Sequence, residues 1–372
     1  MESITKEILP GIFRLTLSDT TIEQGVSEIH IFIIPGKPSS RSLMIDTGFK
    51  TTNCLERLEQ ALHELHISYS DLDIFLTHRH HDHCGLAGIL SKKGARLFMN
   101  PSEERHPYDC LAYRLSDESF QAQKDVLCSA GITAQQSLAV WNAFMHVTHR
   151  IQQHGEWVLA ILGFPYQPVQ SGDRFNYGAY QFEAIPLKGH TYGQLGLIDR
   201  DHKILFAADQ VLGGMSPIIA TTYPDESLLQ SFFDSLEMIK HTCTEEWCVI
   251  PAHGPIIADL PSAVDHTVYS YLNKASAVKN LLEEWTHNPK SAGCNKTEPT
   301  CPGYTIREIA ESIYHVATPP NDEASFFIYK MFITKTFSLL EYLNGLGFVT
   351  RTLLNGTYYW NYKEPNVTEY HH

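Results

Sequence analysis

Four histidines and one aspartate lie within six consecutive residues, 78–83, of this 372-residue chain. They directly follow an apolar run over residues 72–76, which predicts a buried strand. Imidazole and carboxylate groups bind zinc, iron and manganese, and α/β sheets place ligand sites at the carboxyl ends of strands. In an extended segment, His78 and His80 point to the same side, whereas His81 points away. The cluster therefore predicts a metal site rather than a solvated histidine-rich loop.

Three later loops each carry one further histidine or aspartate at the end of a predicted strand. One segment cannot supply the ligands of two metal ions, so more ligands are expected at such strand ends. Each loop alone is more typical of a structural turn, but together with the first cluster the three complete a binuclear site. They are residues 186–191 with His190, 206–210 with Asp209, and 250–255 with His253.

The ordered motifs H-x-H-x-D-H, G-H-T, A-A-D and A-H-G resemble those of the metallo-β-lactamase-fold hydrolases. The pattern looks most like the glyoxalase II-type and β-lactamase-like hydrolases, not the true β-lactamases. The resemblance implies an α/β protein with a four-layer αββα sandwich. It also implies two divalent metal ions, with zinc expected first and iron or manganese as alternatives.

The resemblance divides seven ligands between the two ions. Matched by position, these are His78, His80 and His190 for the first ion, Asp82, His83 and His253 for the second, and Asp209 as the bridge. Asp46, in Asp-Thr-Gly, resembles the aspartate that orients ligands from outside the metal shell. Its alternative role is that of a turn residue after a strand.

The implied mechanism is attack by a metal-bridging hydroxide on an electrophilic carbonyl or phosphoryl group. Asp82 would help to hold the hydroxide. Tyr192 or Tyr223 would donate to the developing oxyanion, although both also suit core packing. Lys188, two residues before His190, and Gln210 depart from the residues common in relatives, and both are candidates to line the pocket.

Composition limits the classes of partner. Lys and Arg number 28 against 42 Asp and Glu, giving a formal net charge of −14, which opposes non-specific binding to nucleic acid or to an anionic membrane. No signal-peptide pattern and no uncharged stretch of membrane-spanning length is present. Eight cysteines without a C-x-x-C motif are typical of free thiols in the cytoplasm, although a pairing of Cys294 with Cys301 stays open.

Strands and helices are predicted to alternate around the metal-binding loops. Residues 7–17 are predicted to form one strand, and residues 225–241 a helix that starts after Pro224. Residues 101–165 lack strand-like runs, so we expect a helical insertion there. Two interpretations of the insertion stay open: a lid or substrate wall, and the surface of a homodimer.

The last part of the chain, residues 291–372, is predicted to be a module separate from a catalytic domain over 1–290. Helices followed by a hairpin around Asn355 and Gly356 resemble a winged helix, which several β-lactamase-like hydrolases carry. From Gly303 onward, five Lys and Arg stand against seven Asp and Glu, which disfavours a nucleic-acid surface. We therefore interpret the module as a packing or dimerisation element.

These observations favour hydrolysis of an ester-type bond, such as a thioester, a lactone or another ester, in a small molecule. One alternative is a metallo-nuclease or phosphodiesterase acting on RNA or another phosphodiester. That activity would require a basic strip beside the pocket, which the charge count disfavours. A second alternative is a non-catalytic regulator that keeps the fold and the metals but acts through its partners.

Overall fold

Seven strands form the first sheet, and they lie side by side in sequence order. Strands β1 to β4 pair antiparallel, whereas β4 to β7 pair parallel. Residues 7–17, predicted as one strand, instead form a hairpin, because Gly11 adopts a positive φ of 75° and turns the chain. The strands are β1 Thr5–Leu9, β2 Ile12–Ser18, β3 Glu28–Ile34, β4 Ser42–Ile45, β5 Leu72–Phe75, β6 Arg96–Met99 and β7 Gln167–Pro168.

Five strands form the second sheet, in the order β12-β11-β10-β9-β8. Neighbours pair antiparallel except β11 and β12, which are parallel. Parallel pairing brings the carboxyl ends of β11 and β12 to the same edge of the sheet. The strands are β8 Arg174–Tyr177, β9 Tyr180–Pro186, β10 Leu195–Asp199, β11 Ile204–Ala208 and β12 Cys248–Pro251.

The two sheets pack face to face through a continuous apolar layer. Phe32 and Phe75 from the first sheet share this layer with Phe182 and Phe206 from the second, and the rings of Phe32 and Phe206 lie 5.1 Å apart. On the other face of the first sheet, the helices α1 Thr52–Glu64 and α3 Ala87–Lys92 contribute to a second buried cluster. The short helix α2, His81–Cys84, lies between them in sequence. The predicted α/β sandwich is confirmed.

The remaining helices follow the predicted order, with one correction. Helix α6 begins three residues later than predicted, because Asp225 and Ser227 have positive φ values of 63° and 50°, which a right-handed helix excludes. The helices are α4 Asp117–Ser129, α5 Leu138–His154, α6 Leu228–Thr242, α7 Leu260–His287, α8 Ile306–Ile313 and α9 Glu323–Gly345.

A small third sheet lies near the C-terminus, in the order β13-β15-β14. It consists of β13 Tyr304–Thr305, β14 Val349–Leu354 and β15 Thr357–Tyr362. The predicted hairpin is present, with positive φ at both Asn355 and Gly356. Thr305 also forms a capping box with Glu308 at the start of α8. The identification of these elements as a winged helix stays a prediction.

The structure is a computed structural model that describes residues 3–19, 27–104, 117–135, 138–154, 163–288, 302–316, 320 and 323–364. Helices α4 and α5 fall in the predicted insertion, whereas Cys294 and Cys301 lie outside the described residues. In the described parts of the chain, no helix has both the length and the apolar character that crossing a membrane requires.

The chain folds into two compact units. The first unit comprises Met1–Arg114, Gly155–Pro217 and Phe232–Thr267, and it contains both large sheets. The second unit comprises Leu115–His154, Ile218–Ser231 and Val268–His372. These units do not follow the predicted division at residue 290, and the domain ranges 1–290 and 291–372 stay a prediction.

A buried carboxylate joins strands of both sheets. Asp73 of β5 accepts hydrogen bonds from Arg41 Nε at 2.6 Å and from Arg96 Nε at 2.7 Å. It also accepts one from the hydroxyl of Tyr177, on β8 of the second sheet, at 2.7 Å. Burial raises the pKa of Asp73, but the hydrogen bonds from Arg96, Tyr177 and Arg41 more than offset this and hold it below its ordinary value.

We expect Asp73→Asn to lower the free energy of unfolding at pH 7 by roughly 2–4 kcal/mol, because two guanidinium groups and the Tyr177 hydroxyl lose their charged acceptor. The folded-state pKa is depressed, so the stabilisation is complete above about pH 4 and is lost as the pH falls further. Urea unfolding of both proteins at pH 7 and pH 3 measures this. The difference should shrink at pH 3, and the exposed control Asp201→Asn should change little at either pH.

Candidate metal centre

The histidine-rich loop leaves the first sheet between two anchoring contacts. The backbone N–H of Thr77 donates to Asp46 Oδ1 at 2.8 Å, and the carbonyl of Thr77 accepts from the N–H of Leu195, on β10, at 3.0 Å. These contacts fix the loop where the two sheets meet. His78 then follows with no exposed surface, whereas His81 is exposed, as predicted.

Four side chains converge in a first cluster, which consists of His78, His80, His190 and Asp209. Nδ1 of His80 lies 3.0 Å from Nε2 of His78 and 3.0 Å from Nε2 of His190. Imidazole nitrogens at such separations repel each other unless a shared proton or a cation lies between their lone pairs. A tetrahedral zinc ion with bonds of 2.0–2.1 Å holds its ligand nitrogens roughly 3.3 Å apart, so this donor set fits a metal ion.

Three further side chains form a second cluster, which consists of Asp82, His83 and His253. Nε2 of His253 lies 3.4 Å from Nε2 of His83 and 3.4 Å from Oδ2 of Asp82. The cluster is buried throughout. Its mixture of imidazole and carboxylate groups suits the same divalent ions as the first cluster.

Asp209 presents one carboxylate oxygen to each cluster. Oδ2 lies 3.3 Å from Nε2 of His190, and Oδ1 lies 3.4 Å from Nε2 of His83 and 3.3 Å from Nε2 of His253. Within the described residues, no donor reaches the buried Oδ1 with hydrogen-bond geometry. A buried carboxylate oxygen without a donor is costly, and a cation at the second cluster would satisfy it.

The charges of the clusters also suit cations. Burial disfavours the charged form of His83, but Asp209, Asp82 and Asp46 raise the pKa of His83 well above its ordinary value. The pKa of the fully buried His78 is shifted the other way: burial and the neighbouring His83 and His80 lower it. A metal ion would replace the proton that three carboxylates retain on His83, and the neutral His78 already offers a lone pair.

Hydrogen bonds from outside the clusters fix which ring nitrogen faces inward. Nδ1 of His83 lies 2.8 Å from Oδ2 of Asp46, and Nδ1 of His253 lies 2.6 Å from the carbonyl of Glu28. Each acceptor holds the proton on Nδ1 and leaves Nε2 free for a metal ion. Asp46 also accepts from the Thr77 hydroxyl at 2.9 Å, so it orients two parts of the loop.

The metallo-beta-lactamase superfamily model matches residues 31–253, which is more than half of the chain. The chain belongs to this superfamily. The superfamily is one of hydrolases, and the match spans both clusters from His78 to His253.

Two solved structures share the fold of this superfamily member. A metallo-beta-lactamase family protein from Thermus thermophilus is 20% identical, with a TM-score of 0.71, and the alignment covers 96% of this chain and 100% of that one. A beta-lactamase domain protein from Burkholderia ambifaria is 16% identical, with a TM-score of 0.73, covering 96% of this chain and 94% of that one. At these identities the likeness concerns the fold alone.

Two curated relatives match in sequence. "Lactamase-like protein nscB" of Neosartorya fischeri is 24% identical over 276 residues, which are 73% of this chain and 62% of that protein. "Atrochrysone carboxyl ACP thioesterase" of Aspergillus fumigatus is 25% identical over 119 residues, 32% of this chain and 26% of that protein. The chain therefore spans less than two thirds of the length of either relative.

The sequence motifs did not reveal the role of three buried residues that hold the loops of the two clusters together. Glu103 lies in a short 3₁₀ turn, Pro101–Glu104, and contacts the loops of both His80 and His190. Gln194 and Gln210, both fully buried, hydrogen-bond each other at 2.9 Å. The sequence signal for Glu103 is only its position just after β6, and Gln210 was predicted to line a pocket rather than to join loops.

The structure does not test the predicted substrate-binding roles of Lys188, Tyr192 and Tyr223. Lys188 has an exposed side chain, and its carbonyl accepts from Ser235 Oγ at 3.0 Å. Tyr192 is half-buried, two residues after His190. Tyr223 is half-buried and belongs to the second unit. Their roles in binding substrate stay predictions.

We expect Asp46→Asn to lower the affinity of the second cluster for a divalent ion by about 10–100-fold. The amide would donate to Nδ1 of His83 instead of accepting from it, which places the proton on Nε2, where the ion must bind. Competition with a chelating dye, using zinc and the metal-free protein, measures the affinity. The exposed control Asp201→Asn should bind zinc as the unmodified protein does, and equal affinities for Asp46→Asn would contradict this role.

Proposed function

We propose that the chain hydrolyses an ester-type bond, in a thioester, lactone or other ester, of a small molecule with the help of two divalent metal ions. Zinc is the first candidate for both ions, with iron and manganese as alternatives. The observation that carries the proposal is the Asp209 carboxylate, which turns one oxygen to each of two separate His/Asp clusters. That arrangement suits a pair of ions that share one carboxylate.

The ligand roles follow from the same geometry. The first ion would be held by His78, His80 and His190, and the second by Asp82, His83 and His253, with Asp209 between them. When bound, such a pair supplies Lewis acidity and a water that deprotonates near neutral pH. Asp82, which is 7% exposed, can accept a hydrogen bond from the attacking water and so orient it.

The ester class is supported by charge and by one relative. The formal net charge of −14 opposes the approach of a polyanionic phosphodiester such as RNA. The thioesterase name belongs to the Aspergillus fumigatus relative, of which this chain covers 26%. A phosphodiester substrate and a non-catalytic role are therefore the competing outcomes of the test below.

We also propose a cytoplasmic location and a homodimeric assembly. The cysteines of the described residues, Cys54, Cys84, Cys128, Cys243 and Cys248, are free, which suits a reducing compartment. Cys84 is fully buried, and burial raises the pKa of its thiol well above the ordinary value, so it is packed as an apolar residue.

The zinc-loaded protein should turn over at least one member of a panel containing an acyl thioester, a lactone and an aryl ester. Asp209→Asn should lower kcat/KM by roughly 10²-fold or more. Mutating a residue that only hydrogen-bonds to a metal ligand lowers activity by about 10–100-fold, and Asp209 is proposed to bind both ions directly. The matched control is His81→Ala, which removes an exposed histidine from the same loop and should leave the rate unchanged.

An aryl phosphodiester in the same panel separates the alternatives. Turnover of the phosphodiester without turnover of any ester would replace the proposed activity with a phosphodiesterase. If the metal-loaded protein cleaved neither class, the non-catalytic alternative would be favoured.

Metal binding should also stabilise the fold, because the clusters exist only in the folded chain. At a free zinc concentration 100 times the dissociation constant, each independent site should add about 2.7 kcal/mol to the free energy of unfolding. Urea unfolding with buffered zinc and with a chelator measures the gain. Asp209→Asn should lose most of this gain, whereas His81→Ala should keep it.

A further inference from the structure

Glu103 connects the two loops that supply the histidines of the first cluster. Its Oε1 accepts from the Thr191 hydroxyl at 2.6 Å and from the Gly193 N–H at 2.7 Å, next to His190. Its Oε2 accepts from the backbone N–H of Arg79 at 2.9 Å, between His78 and His80. One carboxylate thus contacts a residue 24 positions earlier in the sequence and another 90 positions later.

Arg79, the residue between His78 and His80, is also held through its side chain. The guanidinium of Arg79 is buried; its Nη1 donates to the carbonyl of Glu103 at 3.3 Å and lies 3.5 Å from Glu104. Backbone and side chain of Arg79 are therefore both fixed by the 3₁₀ turn Pro101–Glu104. Because His78 and His80 flank Arg79, fixing its peptide group also fixes the direction in which both imidazoles leave the chain.

The approach of Glu103 to the second loop leaves no room for a larger residue. A Cβ at Gly193 would lie 2.8 Å from the backbone nitrogen of Glu103. The Glu103 side chain is also at least nine-tenths buried, so its carboxylate is shielded from water and directed at three protein donors. A buried carboxylate that accepts three hydrogen bonds is a rigid support.

Asp46 makes the corresponding contacts for the other cluster. It accepts from Nδ1 of His83, whereas Glu103 touches none of Asp82, His83 and His253 in the described contacts. Asp46 also accepts from Thr77, the residue before His78, but the imidazole that it contacts belongs to the second cluster. Asp46 acts on an imidazole directly, and Glu103 acts through the backbone and side chains beside the imidazoles.

We propose that Glu103 is the positioning residue of the first cluster and sets the affinity of that cluster for its ion independently of the second. The proposal rests on the two-metal site proposed above, but not on the bond that the protein cleaves. Its test therefore measures metal binding and not turnover. A chain that binds two ions without hydrolysing esters would contradict the proposed function but not the proposed role of Glu103.

The central variant is Glu103→Gln, which keeps the shape and one acceptor oxygen. The amide carbonyl can still accept from Thr191 and Gly193, but the amide nitrogen then faces the N–H of Arg79, donor against donor. Thr191→Val is a milder second variant that removes one donor to Glu103 and leaves the carboxylate in place. Glu245→Gln is the matched control, since it makes the same change at an exposed position outside both clusters.

Stepwise cobalt titration of each metal-free protein, followed by visible absorption and native mass spectrometry, resolves the two binding events. We expect Glu103→Gln to weaken one event by about 10–100-fold and to leave the other within about twofold. Thr191→Val should weaken the same event to a smaller extent, and Glu245→Gln should weaken neither. Asp46→Asn should weaken the other event, so that the two variants give opposite patterns.

Thermal unfolding of the metal-free variants distinguishes positioning from general support of the fold. A purely structural Glu103 would lower the unfolding temperature and weaken both binding events together, which would overturn the proposal. Unchanged cobalt affinities in Glu103→Gln would overturn it as well, and so would an unmodified chain that binds fewer than two ions. If Glu103→Gln does not fold, the Thr191→Val titration decides by the same criteria.

Discussion

The structure depends on keeping two carboxylates and several imidazoles close together away from water. Asp82 and Asp209 are both at least nine-tenths buried, and the neighbouring histidines hold the pKa of each below its ordinary value despite burial. Such a group of charges is unfavourable unless opposite charge lies within it. Protonated imidazoles supply part of that charge, and divalent ions would supply it while binding the lone pairs that face inward. The same arrangement that is difficult to bury is therefore well suited to cations.

The two sheets make the arrangement possible because they deliver ligands from separate strand ends. His78 follows β5, whereas Asp209 and His253 follow the parallel pair β11 and β12. The G-H-T loop after β9 is held by close packing, since a Cβ at Gly189 would lie 2.4 Å from the backbone of Phe232 and its φ is +119°. Only glycine fits there, and His190 is fixed one residue later.

Local pattern was sufficient to predict which residues form the two clusters but not the contacts that align them. The density of histidine after an apolar run marked the first loop, and strand-terminal His or Asp marked the others, because both signals lie within a few residues. Glu103 carries no such signal, since its partners lie at positions 79, 191 and 193 and meet it only in the folded chain. The start of α6 was predicted wrongly for a related reason. Pro224 suits a first helical turn locally, but Asp225 takes a left-handed conformation and its N–H donates to the distant Glu341 at 2.8 Å.

Neutral amides complete the support of the Asp209 carboxylate, and their neutrality has a physical reason. Gln194 Oε1 accepts from the N–H of Asp209 at 3.4 Å, and its amide nitrogen donates to Gln210 Oε1 at 2.9 Å. Gln210 in turn donates to the carbonyl of Phe232 at 3.3 Å. A cationic side chain at Gln210 would compete with metal ions for the charge of Asp209, and an additional carboxylate would remain unpaired when two ions are bound. An imidazole, with one donor and one acceptor, has fewer hydrogen-bonding atoms than the amide of Gln210, which can both accept from Gln194 and donate to backbone carbonyls. The glutamine at this position therefore follows from the hydrogen bonds that its buried surroundings require.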